Sequence, residues 1–200
     1  EYTWAQYLER VLAFAAGLES YGVQPGDTML IVGDNRPTLY FGLLSAAALR
    51  AIPTPAYPDS TPQEIGEQMQ REAIRFALAE DQEQVDKLLE IRESNPSIEL
   101  IVYDDPRGLK GKEPEGVVGF EAIAEMGRQR LQNERGLRDD LLGRGNVHDV
   151  AVLLHSSGTT GAPKGIPLKH GHVLFAVRNA AEADYFREGE VHMAFLPMAW

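Results

Sequence analysis

Helical and strand patterns alternate along this chain, and the alternation restricts its folds more than any other property. Trp4, Tyr7, Leu8, Val11, Leu12, Ala15 and Leu18 recur every three or four residues, which puts them on one face of a helix. Thr3 and Gln6 have capping-box spacing, and Tyr21-Gly22 marks the stop. The turn Gln24-Pro25-Gly26-Asp27 leads into the apolar run 28–32, a predicted strand. Arg36-Pro37 opens a second helix, predicted to run through Ala51. Residues 52–57 read as an edge or ligand-lining strand, because Pro53 and Pro55 cannot donate to a ladder.

Thr61, Pro62 and Glu64 announce a third helix by cap, first-turn proline and capping box. A strand at 76–79, a helix at 82–94 and a strand at 100–103 continue the rhythm. Residues 105–119 are rich in Gly, Pro and charge and read as a loop before a helix at 120–132. The polar stretch 134–149 is the expected boundary between an N-terminal portion, 1–149, and a second segment, 150–200. Successive βα units of this kind imply an α/β protein with doubly wound, mostly parallel sheets flanked by helices.

The second segment carries the chemistry. After the apolar run 150–154, a predicted buried strand, come Ser156, Ser157, Gly158, Thr159, Thr160, Gly161, Ala162, Pro163, Lys164 and Gly165. Glycines let backbone N–H groups approach a ligand, hydroxyls add neutral donors, and Lys164 adds a positive charge, a combination suited to phosphate. A Walker A loop needs four residues between its first glycine and a Gly-Lys-Ser/Thr ending. Here Gly158 and Gly161 are too close, Pro163 precedes Lys164, and Gly165 stands where a hydroxyl should be. A Gly/Ser/Thr-rich turn that merely reverses the chain would use similar residues. Charge argues for a ligand: no Asp or Glu occurs from 150 to 181, although the chain holds 30 acidic residues in 200. Lys164, Lys169, Arg178, His155, His170 and His172 fall in the same window, which suits a polyanion. His155 has no carboxylate or serine arrangement near it in sequence and reads as structural.

The string 156–165 resembles the phosphate loop of AMP-forming acyl- and aryl-CoA synthetases, the adenylate-forming superfamily that includes firefly luciferases and peptide-synthetase adenylation domains. The family pattern is Thr/Ser-Ser-Gly-Thr-Thr-Gly-x-Pro-Lys-Gly, matched throughout. Thr3-Trp4, Gly26-Asp27, Asn35-Arg36 and the 53–58 region also have family counterparts, and Tyr57-Pro58-Asp59-Ser60-Thr61-Pro62 resembles the long-chain fatty acyl branch most. Residues 193–200 resemble a motif lining the acyl and adenylate pocket, with Trp200 in place of its histidine; His172 stands where a capping Asn is common.

The resemblance implies ATP-dependent ligation of a fatty acid, long-chain by that branch, to CoA, with Mg2+. Its nucleotide contacts would be Ser156, Ser157, Gly158, Thr159, Thr160, Gly161, Lys164 and Gly165, and Thr159 would face the metal. Rival readings are an aryl-CoA ligase, a peptide-synthetase adenylation domain, or a non-catalytic nucleotide-binding module. The family completes its site with a Tyr-Gly-x-Thr-Glu segment, a ribose-binding Asp and a distal catalytic Lys. None occurs in these 200 residues, so the chain reads as an N-terminal portion without catalytic residues, inactive alone.

The partners implied by the resemblance are small molecules, ATP, a fatty acid and CoA, and composition sets limits beside it. A net charge of -11 opposes general nucleic-acid binding, and the absence of cysteine removes disulfides and thiolate metal sites. No apolar run approaches the roughly 20 residues that span a bilayer, and no secretory signal opens the chain. A cytoplasmic location is therefore expected, with peripheral membrane association open. Glu1 is not an initiator methionine, so an upstream start is expected.

Overall fold

A computed structural model describes residues 1–109, 111, 113–156, 164–184, 189 and 196–199. Five strands form one parallel sheet: β1 (Thr28–Val32), β2 (Ile52–Ala56), β3 (Phe76–Ala79), β4 (Leu100–Tyr103) and β5 (Val117–Gly119), in the order β2-β1-β3-β4-β5. Leu30 lies opposite Thr54 on one side and Ala77 on the other, which fixes the central register. Because both faces are covered, the inner strands are continuous apolar runs without polar alternation.

The pleat sends alternate residues to two cores. Met29, Ile31, Phe76 and Leu78 face α1 (Trp4–Ser20), α2 (Pro37–Ala48) and α5 (Phe120–Asn133). Leu30, Val32, Ala77 and Ala79 face α3 (Pro62–Arg71) and α4 (Gln82–Ser94). The sheet is thus doubly wound, as the alternation of patterns predicts.

Local signals set the helix ends. Thr3 with Gln6 and Thr61 with Glu64 both form reciprocal capping boxes, and Asp81 accepts the Gln84 N–H. Helices α1 and α5 approach closely because Gly17 and Gly127 lie between them. A Cβ on Gly127 would intrude on the Ala13 carbonyl oxygen and lie 2.7 Å from the Gly17 nitrogen. That approach lets Phe14 and Phe120 stack with ring centroids 4.1 Å apart.

Three boundaries differ from the sequence-based expectation. The second helix ends at Ala48, not Ala51, because Arg50 adopts a left-handed φ of 59° and the Ala51 N–H closes on the Ala46 carbonyl at 2.9 Å. The expected loop 105–119 ends in β5, which pairs with β4. The polar stretch 134–149, expected as a boundary, contains α6 (Leu137–Gly143), whose Leu137 and Leu141, one helical turn apart, are buried in the α1/α2/α5 core. Arg130 and Arg144, on either side of α6, both pair with Glu19 of α1.

Candidate functional site

Beside β2 stands a second sheet of two antiparallel strands, β6 (Val150–Ser156) and β7 (Lys164–Lys169), followed by α7 (His170–Asp184). Ser156 lies opposite Lys164 and His155 opposite Gly165, so the outer ends of the hairpin meet where the phosphate-loop string enters and leaves. Of the expected nucleotide contacts, Ser156, Lys164 and Gly165 are therefore brought together. Ser157, Gly158, Thr159, Thr160 and Gly161, and with them the expected metal contact at Thr159, lie outside the described residues. Among the described residues no group of three His, Cys, Asp or Glu could hold a metal ion. Lys164 is exposed. A Cβ on Gly165 would come 3.1 Å from Leu153 Cδ1 and 3.8 Å from His155 Nε2, so a side chain there would press on the residues of the facing strand.

Why the hairpin forms its own sheet follows from β2. The Ile52 N–H donates to Asp27 beside β1 at 2.7 Å, so in a parallel strand the nitrogens of Pro53 and Pro55 face the other way, toward β6. A strand whose outer nitrogens carry no hydrogen offers no main-chain ladder. Side chains make the connection instead. At the base, the Arg50 Nε and Nη2 donate to the two carboxylate oxygens of Asp149, each at 3.0 Å. That fork and the Asn146 N–H hold the Asp149 carboxyl well below its usual range, at about 2, with Arg50 the larger cause. Nearer the loop, the buried Thr54 hydroxyl donates to the Leu153 carbonyl at 3.1 Å. Gln68 Nε2 in turn donates to Thr54 Oγ1 at 3.0 Å and lies 3.5 Å from His155 Nδ1.

His155 does have a carboxylate partner, one that is distant in sequence. Its Nε2 meets Glu72 Oε1, a residue 83 positions earlier, and the two side chains are only 14% and 11% exposed. No local pattern announces that pair. His172 differs from expectation. It is not the cap of α7; it is the third residue of that helix, within its first turn, and its Nδ1 accepts the Lys169 N–H at 3.3 Å. The first amides of α7 are taken by backbone: His170 donates to the Asp149 carbonyl and Gly171 to that of Val147.

A crevice of about 510 Å3 opens beyond the carboxyl ends of β1 and β2, lined by Gly33, Asn35, Tyr57 and Pro58 with Leu196 and Pro197. Open α/β sheets place ligands at such strand ends. Asn35 Nδ2 donates to the Leu196 carbonyl at 2.8 Å and so fixes the 196–199 segment at its rim. Trp200 lies outside the described residues.

Comparison with known proteins gives this arrangement its context. A 4-coumarate–CoA ligase of Nicotiana tabacum is 28% identical over 98% of this chain and 34% of its own length. A second, from Arabidopsis thaliana, is 29% identical over 92% of this chain and 30% of its own. The chain thus spans about a third of the curated relatives it matches. Among solved structures, acetoacetyl-CoA synthetase from Streptomyces lividans superposes with a TM-score of 0.79 at 21% identity, covering 99% of this chain and 30% of that one. Mycobacterium smegmatis MbtA gives 0.76 at 22% identity, covering 99% and 34%. Both show the same α/β fold. The family model of the AMP-binding enzymes matches residues 1–200, and this chain belongs to that adenylate-forming family.

Proposed function

We propose that the protein carrying this chain is an AMP-forming acid–thiol ligase whose loop 156–165 grips the phosphates of Mg-ATP. The observation that carries the reading is the pairing of Ser156 with Lys164 at the mouth of the β6–β7 hairpin, within a ten-residue string matching the family pattern. In the first step a carboxylate oxygen attacks the α-phosphorus, and the bond to the β-phosphate oxygen breaks to release pyrophosphate. In the second, the CoA thiol sulfur attacks the acyl carbon, AMP leaves, and the thiol proton passes to solvent. Charge builds on the departing pyrophosphate. Lys164, together with the donors of Ser156, Ser157, Gly158, Thr159, Thr160, Gly161 and Gly165, would stabilise it; Thr159 would hold the Mg2+ of the nucleotide, which would supply further positive charge.

The substrate assigned is a fatty acid, supported by the likeness of residues 57–62 to the long-chain branch. An aryl acid is the second reading, favoured by relatives that carry the name of 4-coumarate ligases. Residues 1–149 and 150–200 are taken as parts of one larger domain, a reading supported by the Arg50–Asp149 and Thr54–Leu153 contacts. Carboxylate-dependent ATP–pyrophosphate exchange by the full-length protein tests the assignment, with palmitate and 4-coumarate in parallel. Exchange with palmitate supports the fatty-acid reading, and exchange with 4-coumarate alone moves the assignment to aryl acids. Nucleotide binding without exchange for any carboxylate would leave a non-catalytic module.

A further inference from the structure

The Glu72 carboxyl is nearly enclosed. Glu72 is the C-cap of α3, at the negative end of the helix dipole, and only 11% of its side chain is exposed. Its Oε2 is buried with no hydrogen-bond partner among the described residues, and Oε1 meets His155 Nε2. The contacts continue from Glu72 back to β2. Thr54 donates to the Leu153 carbonyl, Gln68 donates to Thr54 and faces His155 Nδ1, and the other ring nitrogen, Nε2, meets Glu72. Thr54 of β2, Gln68 of α3, His155 of β6, the neighbour of Ser156, and Glu72 at the C-cap of α3 form one connected polar path.

We propose that His155 and Glu72 are positioning residues for the phosphate loop. The prolines of β2 deny β6 a main-chain ladder, so the height and tilt of the strand that feeds the loop rest on side-chain contacts. If β6 lifts, the Glu72 carboxyl loses its contact with His155, which opposes the motion. The pair thus sets where Ser156 stands opposite Lys164, and so how the loop meets the nucleotide. Neither residue touches the reacting atoms.

This inference rests on the proposed grip on Mg-ATP, and the experiment separates the two. Mg-ATP binding by calorimetry and exchange kinetics are measured on the full-length protein for wild type, His155→Ala, Glu72→Ala, their double mutant and Glu72→Gln. His155→Ala and Glu72→Ala are expected to weaken Mg-ATP binding and raise the ATP KM by about tenfold, with the carboxylate KM unchanged. The double mutant should be no worse than either single one, as for two parts of one device. Glu72→Gln keeps a neutral polar partner for the imidazole and is expected to recover most of the affinity lost in Glu72→Ala; His155→Ala and Glu72→Ala are independent, so either carries the test if the other does not fold. Wild-type protein that fails to bind Mg-ATP refutes the phosphate-loop reading and this one with it. Wild type that binds, with alanine variants that bind equally well, refutes the positioning role alone, as does a parallel rise in both KM values.

Discussion

Replacing Gly127 by alanine adds one methyl group, yet the space around it makes the outcome far from small. A Cβ there would lie 2.7 Å from the Gly17 nitrogen and 2.8 Å from the Ala13 carbonyl carbon, and would intrude further on the Ala13 oxygen. These are backbone atoms of α1, so no rotamer change relieves them. Helices α1 and α5 would have to part by roughly 1 Å to restore ordinary contact distances. Separation loosens the Phe14–Phe120 stack and the packing of buried Ile123 and Ala124. Overpacking of this kind costs about 3 kcal/mol, at the upper end of the usual range because neither wall can yield. Alanine's better helix propensity returns about 1 kcal/mol, leaving a net loss of about 2 kcal/mol. Gly66, on α3, supplies the control: a Cβ there meets Ile91 side-chain atoms at 3.5 and 3.7 Å, ordinary contact. Gly66→Ala should therefore gain about 0.5 to 1 kcal/mol. Urea unfolding reads both, as a midpoint lowered by about 1 M for Gly127→Ala and raised slightly for Gly66→Ala. A Gly127→Ala protein as stable as its parent would refute the close approach of α1 and α5.

Three further outcomes are expected. Lys164→Ala, at an exposed position, should change stability by no more than about 0.5 kcal/mol while lowering adenylation on the order of a hundredfold, read by comparing melting temperature with pyrophosphate exchange. Thr61→Ala removes a capping box and should cost about 1 kcal/mol in urea unfolding. Asp149, held at about 2 by Arg50, contributes stability that is present above its ordinary value of 3.8 and lost as pH falls through about 2. Unfolding midpoints of wild type and Asp149→Asn should therefore differ at pH 6 and converge on acidification across that window; a gap that persists at pH 2 would contradict the ion-pair account.

Signals confined to a few neighbouring residues were readable from sequence. Thr3 with Gln6 and Thr61 with Glu64 each form the capping box their spacing implies, and the prolines of 52–57 do mark an edge strand. The parallel sheet follows from helices long enough to cross between strands. What escaped depends on distance or on strain. Strand β5 has three residues, too few to show a period, and Arg50 takes a left-handed conformation that a non-glycine residue does not advertise. Leu137 and Leu141 carried a helical spacing outweighed by the charges around them. The partner of His155 sits on α3, brought near only by the crossover between β2 and β3, so no local reading could supply it.

The two prolines of β2 also bear on synthesis. Residues 1–56 leave the ribosome well before β6, and during that interval the outer side of β2 would be an open strand edge beside buried apolar neighbours. Such edges recruit strands from other chains. With no N–H to give at Pro53 or Pro55, β2 is a poor template for another nascent copy, and at the far side β5 exposes only three residues. The half-made sheet is thus protected against intermolecular pairing at both margins while it waits for the hairpin.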